Sequence, residues 1–147
     1  TDNAQMPMFL LYKLQELFEG TSKRKLFKDI FGEEGNVCLY GEGYGAKIRG
    51  GGKYNPSGVD FILFDVKIDH WWLKRNSIED IANKFNLETV PIIGEGTLRE
   101  MVEKVRNGLN SQWGEFRAEG IVARTKVELF TRNNERLITK IKHKDFN

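Results

Sequence analysis

Cysteine is nearly missing from this sequence: Cys38 alone stands among 147 residues. One thiol excludes an internal disulfide and leaves no thiolate cluster for a structural zinc, so the fold must rest on burial. Histidine is almost as scarce, with only His70 and His143. Neither has an acid partner at a spacing that would suggest a Ser/His or zinc-hydrolase mechanism. No apolar run approaches the roughly 20 residues that cross a bilayer. The opening TDNAQMP lacks both the charged and the apolar regions of a signal peptide. These absences predict a soluble protein with no membrane partner, suited to a reducing, cytoplasmic setting.

A strong net charge is lacking as well. The balance is +2, with 39% hydrophobic and 30% charged residues, an ordinary globular composition that predicts one domain or a large piece of one. The distribution is uneven, however. From Arg117 onward Lys and Arg outnumber Asp and Glu by about two to one, whereas Glu79 to Glu103 leans acidic, so the C-terminal end is the better place to look for phosphate.

Periodicity predicts an opening loop, TDNAQMP, and then a helix in which Phe9, Leu10, Leu14 and Leu17 recur at helical spacing before Gly20. A second short helix, KRKLFKDIFG, should stop at Gly32, and VCLYGEGYGAKIRGGGKY reads as two strands tightly joined. In VDFILFDVKID, strict alternation would put Ile62, Phe64, Val66 and Ile68 on one face, with Asp65, Lys67 and Asp69 on the other. Ser77 with Asp80, and Thr97 with Glu100, both match a capping pattern ahead of a helical run. The last third returns to strands in AEGIVART, KVELFTR and RLITKIKHK, the last two joined at Asn133-Asn134. Strands in runs, with helices between the runs, predict an α+β fold with largely antiparallel sheets.

Four strings carry chemistry: YGEGYG (40–45), FILFDVKI (61–68), AEGIVAR (118–124) and ITKIKHKDF (138–146). Taken singly, each has an ordinary reading. Glu42 beside glycines is a solvated acid in a turn, Phe64 is core, and Lys140, Lys142 and Lys144 are the solvated face of an edge strand. Trp71, Trp72 and Trp113 read as core or interface aromatics. Taken together, in this order and spacing, the strings resemble the nucleotidyltransferase motifs of covalent ligases and capping enzymes, most closely the bacteriophage-type ATP-dependent RNA ligases, over nearly the whole chain.

The resemblance implies a nucleotidyltransferase (ATP-grasp-like) domain, ATP and Mg²⁺ as cofactors, and RNA ends, or DNA ends, as partners. It implies that Glu42 supports the ribose, Phe64 stacks on the purine, and Asp65 is needed for activity through a partner left open. Glu119 would hold the divalent metal, and Lys140 and Lys142 would contact the α-phosphate. Lys144 and His143 are candidates for nucleic-acid phosphates. Arg124 stands where the family usually has lysine, keeping the charge but replacing a point donor with a planar fork. Alternation sets Glu119 and Arg124 on opposite faces, so both can serve one site only if Glu119 lies in the turn entering the strand.

The family's nucleophile, a lysine in a KxDG-like motif, lies further upstream than the 41 residues before Glu42 allow, and KxDG occurs nowhere in the sequence. Lys47-Ile48-Arg49-Gly50 satisfies the looser KxxG, but on the wrong side of Glu42 and at a frequency that chance explains. The chain starts at Thr1 with no initiator methionine, so the expectation is an N-terminally truncated domain that cannot adenylate itself. Strands left unpaired by such a truncation would be sheet edges open to a homodimer. DNA ligase, capping guanylyltransferase and a non-catalytic nucleotide- or RNA-binding module are the competing readings.

Overall fold

A computed structural model describes residues 5–48 and 50–146. Residues 1–4 of the expected opening loop and Arg49 of the KxxG string lie outside the described residues. The chain divides into two compact units, one ending at Pro91 and the other running from Ile92.

The first unit opens with two helices, α1 (Met8–Phe18) and α2 (Thr21–Phe31), where the apolar spacing places them. α2 ends at Gly32, whose φ of 80° is a left-handed conformation that glycine adopts without strain. Strands β1 (Val37–Gly45) and β2 (Val59–Ile68) form an antiparallel pair, extended by β3 (Trp71–Trp72) and, in parallel, by β4 (Glu88–Thr89). Between β3 and β4 runs α3 (Arg75–Phe85). The expected tight pair of strands in residues 37–54 is not formed. β1 is a single strand, and the described residues between it and β2 form turns and bends.

Strict alternation also fails in β2, for an identifiable reason. The register pairs Tyr40 with Asp65 and Gly41 with Leu63, so Phe64 is passed over in a β-bulge. One extra residue reverses the phase of everything beyond it. The helix-facing residues of β2 are therefore Phe61 and Leu63 before the bulge, and Val66 and Ile68 after it. Leu63 and Val66 are completely buried, and they pack with Ile78, Ile81, Ala82 and Phe85 of α3. Phe18 meets Phe61 edge-on at 5.7 Å between ring centroids, and Phe27 meets Phe85 at 5.8 Å. Phe18 thus packs α1 on β2, and Phe27 packs α2 on α3.

In the second unit, α4 (Leu98–Arg106) begins with the capping box expected at Thr97. The Thr97 hydroxyl accepts from Glu100 N at 3.3 Å, and the Glu100 carboxylate accepts from Thr97 N at 2.7 Å. Strands β5 (Gly120–Arg124) and β6 (Ile138–Lys142) form an antiparallel pair. KVELFTR does not form a named strand. It contributes a single bridge, Phe130 to Arg136, around a turn in which Asn134 takes φ 61°. Val105 of α4 and Ile141 of β6 are buried. The whole is mixed helix and strand with antiparallel pairing dominant, as an α+β reading requires.

Candidate nucleotide and phosphate sites

The first unit's helices pack on one face of its sheet. Antiparallel partners share a face, so the register puts Tyr40, Glu42 and Tyr44 of β1 with Asp65, Ile62 and Asp60 of β2 on the side away from the core cluster. Glu42 sits within β1 opposite Ile62, and its side chain is exposed. Its flanking glycines have packing reasons. A Cβ on Gly41 would run into the Phe61 ring, and one on Gly43 would meet Leu10 of α1 at 2.6 Å. The glycines thus let α1 and Phe61 close on the back of β1 while Glu42 points the other way.

Phe64 was expected on the apolar face with Val66. It follows the helix-facing Leu63 and is half-buried outside the core cluster. The bulge thus frees this ring from the core and puts it on the same side as Asp65, where simple alternation had opposed the two. Asp65 is only 4% exposed. Beyond it on this face, the Tyr40 and Trp72 rings lie 5.1 Å apart, with Lys67 Nζ 5.1 Å from the Trp72 centroid. Trp72 is therefore part of this face, whereas Trp71 is largely exposed.

In the second unit Glu119 lies just before β5, whose first residue is Gly120, but in no turn: its carbonyl carries the pairing with the β6 segment one residue further. A Cβ at Gly120 would overlap the Ile141 carbonyl, so glycine lets the strands close directly beside Glu119. The Glu119 carbonyl accepts from His143 N at 2.9 Å, and Ala118 N donates to Leu109 O at 2.7 Å, which anchors the approach to the strand. Glu119 Oε1 accepts from Lys142 Nζ at 2.6 Å. That hydrogen bond and then the charge of Lys142 hold the Glu119 carboxyl below its ordinary value against the opposing effect of burial, with smaller help from Lys144 and Lys140.

Arg124 ends β5 opposite Ile138, four residues beyond Gly120, so it and Glu119 stand at opposite ends of the strand. Lys140 lies opposite Val122, on an open face where Val122 is 59% exposed. Lys144 does not continue that face, because β6 ends at Lys142 and a 3-10 turn, His143–Phe146, follows. Both ring nitrogens of His143 have partners within the unit. Its Nδ1 lies 3.0 Å from Val105 O and its Nε2 2.7 Å from Arg117 Nη1. A carbonyl can only accept, so Nδ1 donates and Nε2 accepts from Arg117. Arg117 has no sequence signal, because its partner lies 26 residues away.

Among the described residues, no group of three or more His, Cys, Asp or Glu side chains could hold a metal ion. Glu119 offers one hard carboxylate beside three lysines. That donor set fits Mg²⁺, which keeps several waters and needs only one or two carboxylates when phosphate supplies further oxygens. No helix among the described residues is long and apolar enough to cross a membrane. In comparisons with known proteins, the family model described as RNA ligase matches residues 10–142. No curated protein matches the chain.

Proposed function

The chain belongs to the RNA ligase family, and from that premise we propose that it supplies the nucleotide- and phosphate-handling residues of an ATP-dependent enzyme joining RNA 5′-phosphate and 3′-hydroxyl ends. Glu42 would receive the ribose, Phe64 would stack on adenine, and Asp65 would support that set from beneath. Glu119 would hold Mg²⁺, which neutralises phosphate charge when bound. Lys140 and Lys142, with Arg124 further along β5, would carry the positive charge that phosphoryl-type transfer needs. The observation that carries the reading is the short Glu119–Lys142 contact, set in the field of two further lysines. An acid held ionised beside excess cations suits a metal-bound phosphate group.

In such an enzyme a lysine first attacks the α-phosphorus of ATP, forming lysyl-AMP and releasing pyrophosphate. AMP then passes to the RNA 5′-phosphate, and the 3′-hydroxyl displaces it. No KxDG lysine occurs in the 147 residues, so the first step is assigned to no residue of this chain. The 147-residue polypeptide should therefore retain no covalent AMP when incubated with labelled ATP and Mg²⁺.

The last step needs no such lysine. The acceptor 3′-oxygen attacks the activated 5′-phosphorus, its proton passes to water, and AMP departs with the electron pair of the broken anhydride bond. Supplying a pre-adenylylated RNA donor, an acceptor with a free 3′-hydroxyl and Mg²⁺ tests the proposal directly. Joined RNA and free AMP in equal amounts are expected. Binding of RNA without joining would favour the non-catalytic module, and joining of DNA ends in preference to RNA would favour the DNA-ligase reading.

A further inference from the structure

The segment between β1 and β2 plays no part in the roles above, yet its composition is unusual. No acid occurs between Glu42 and Asp60, while Lys47, Arg49 and Lys53 all fall there among several glycines. Three cations and no anion in a short connection form a local field that the chain's small net charge conceals.

The described part of this loop is a braced succession of turns. Ala46 N donates to Gly58 O at 2.9 Å, Ile48 N to Gly45 O at 3.0 Å, Gly51 N to Ile48 O at 2.8 Å and Tyr54 N to Gly51 O at 3.0 Å. Asn55 Oδ1 accepts from Gly58 N at 3.0 Å. Those amides are spent within the loop, which they hold in a series of turns with its lysine side chains outward. Its positive charge is carried by those side chains.

Lys47 and Lys53 are exposed. Lys47 and Ser57 also line an open cavity of about 350 Å³ against α1, with Phe9, Tyr12, Lys13 and Glu16. Lys47 Nζ stands 5.7 Å from the Phe9 ring centroid. Glu16, the acid at this cavity, answers the other lysine and lies 3.6 Å from Lys13, which also stands 4.0 Å from Asp60. Lysine ammonium groups on a hydrogen-bonded turn give point charges without the geometry to read base edges. That is the chemistry of backbone phosphate contact.

We propose that the β1–β2 loop, with the cavity it forms against α1, is a contact surface for the phosphate backbone of an RNA strand. The choice of RNA rests on family membership, while the location rests on this loop's charge and bracing. Phosphate on a free nucleotide is the other source of the same chemistry, so both ligands enter the test.

Binding of a short labelled single-stranded RNA to the 147-residue chain, measured across a series of salt concentrations, decides the matter. K47A/K53A should weaken binding at low salt, equally for unrelated RNA sequences. It should also reduce the slope of log affinity against log salt by roughly 0.7 per lost contact, or about 1.4 for both. K47E/K53E should bind more weakly still. Affinity for ATP should be the same in all three proteins. An unchanged salt slope overturns the proposal even if affinity falls, because the loop would then act through folding. Parallel loss of ATP and RNA affinity also overturns it, since the loop would then serve the nucleotide's own phosphates. A wild-type chain that binds ATP but not RNA overturns it while leaving the nucleotide reading intact.

Discussion

Replacing Lys142 with methionine keeps the length of the side chain and removes its charge, which separates two quantities that a merely structural ion pair would move together. Glu119 and Lys142 are 66% and 36% exposed at their side chains. Water screens such a pair, so its contribution to folding should be no more than about 1 kcal/mol. Glu119 is held low first by the Lys142 hydrogen bond and next by the Lys142 charge. In K142M its carboxyl should titrate higher, nearer the ordinary value of 4.5, because both of the largest causes that lower it come from Lys142. The sign follows from the depressed value. The pair's contribution is present above the ordinary carboxylate range and is lost as pH falls through the lowered value. Under the proposed role, removing one preorganised cation from the reacting phosphate should slow the joining of pre-adenylylated RNA by roughly 10²- to 10³-fold. Carbon-detected NMR of the Glu119 carboxyl, urea unfolding and the joining assay measure the three effects on one protein. The reasoning is refuted if Glu119 titrates identically in both proteins, or if the rate falls no further than the stability change explains.

Two neighbours on β2 provide a second contrast. L63A should cost about 2–5 kcal/mol in urea unfolding, since Leu63 is fully buried in the core. F64A, one residue on but outside that core, should cost less stability and instead weaken binding of a fluorescent ATP analogue by about 5- to 150-fold, the value of one lost base stack at about 1–3 kcal/mol. The opposite ranking would mean that the bulge is misplaced. T97A should destabilise α4 by about 1 kcal/mol, read as faster amide exchange in its first turn. Glu100 is held low chiefly by the Thr97 backbone hydrogen bond and then by its hydroxyl. The wild-type cap should therefore persist above the ordinary carboxylate range and weaken as pH falls through the lowered value, and a pH-independent exchange rate there would count against it.

What was legible in the sequence depended on whether the determining partner was local. Thr97 and Glu100 form their box because both halves lie within one turn. The same pattern at Ser77 and Asp80 does not form one. Lys74, in extended conformation, already starts α3 three residues earlier, and Asp80 is taken by Lys84 at 2.7 Å. Helices α1 and α2 follow from their own apolar spacing. The bulge at Phe64 could not be read from β2, because residues 61–64 are all apolar and either phase buries hydrophobic side chains. The register is set by β1, where Gly41 accepts the Phe61 ring. KVELFTR has strand-forming composition but pairs at only one bridge, leaving Val127, Leu129 and Phe130 exposed.

The candidate residues show the same division at closer range. Position in the sequence could say that Glu119 and Arg124 are five residues apart, but not which end of β5 faces the lysines. Pairing with β6 decides it. Gly120 opposite Lys142 brings Glu119 to the basic end, and Ile138 opposite Arg124 carries the guanidinium away along the strand. An extended strand rises roughly 3.3 Å per residue, so from Gly120 to Arg124 this amounts to roughly 13 Å. One magnesium-bound phosphate group is smaller than that. If Arg124 acts on the nucleotide at all, it must therefore act on a different part of it, or on the RNA, than Glu119 and Lys142 do. Arg124→Gln, which removes the charge, should then leave the Mg²⁺ dependence of joining unaltered while raising the RNA concentration needed for half-maximal rate. A shift in Mg²⁺ dependence equal to that of Glu119→Gln would show that the two side chains share one phosphate, and that the extended geometry of β5 does not hold when ligand is bound.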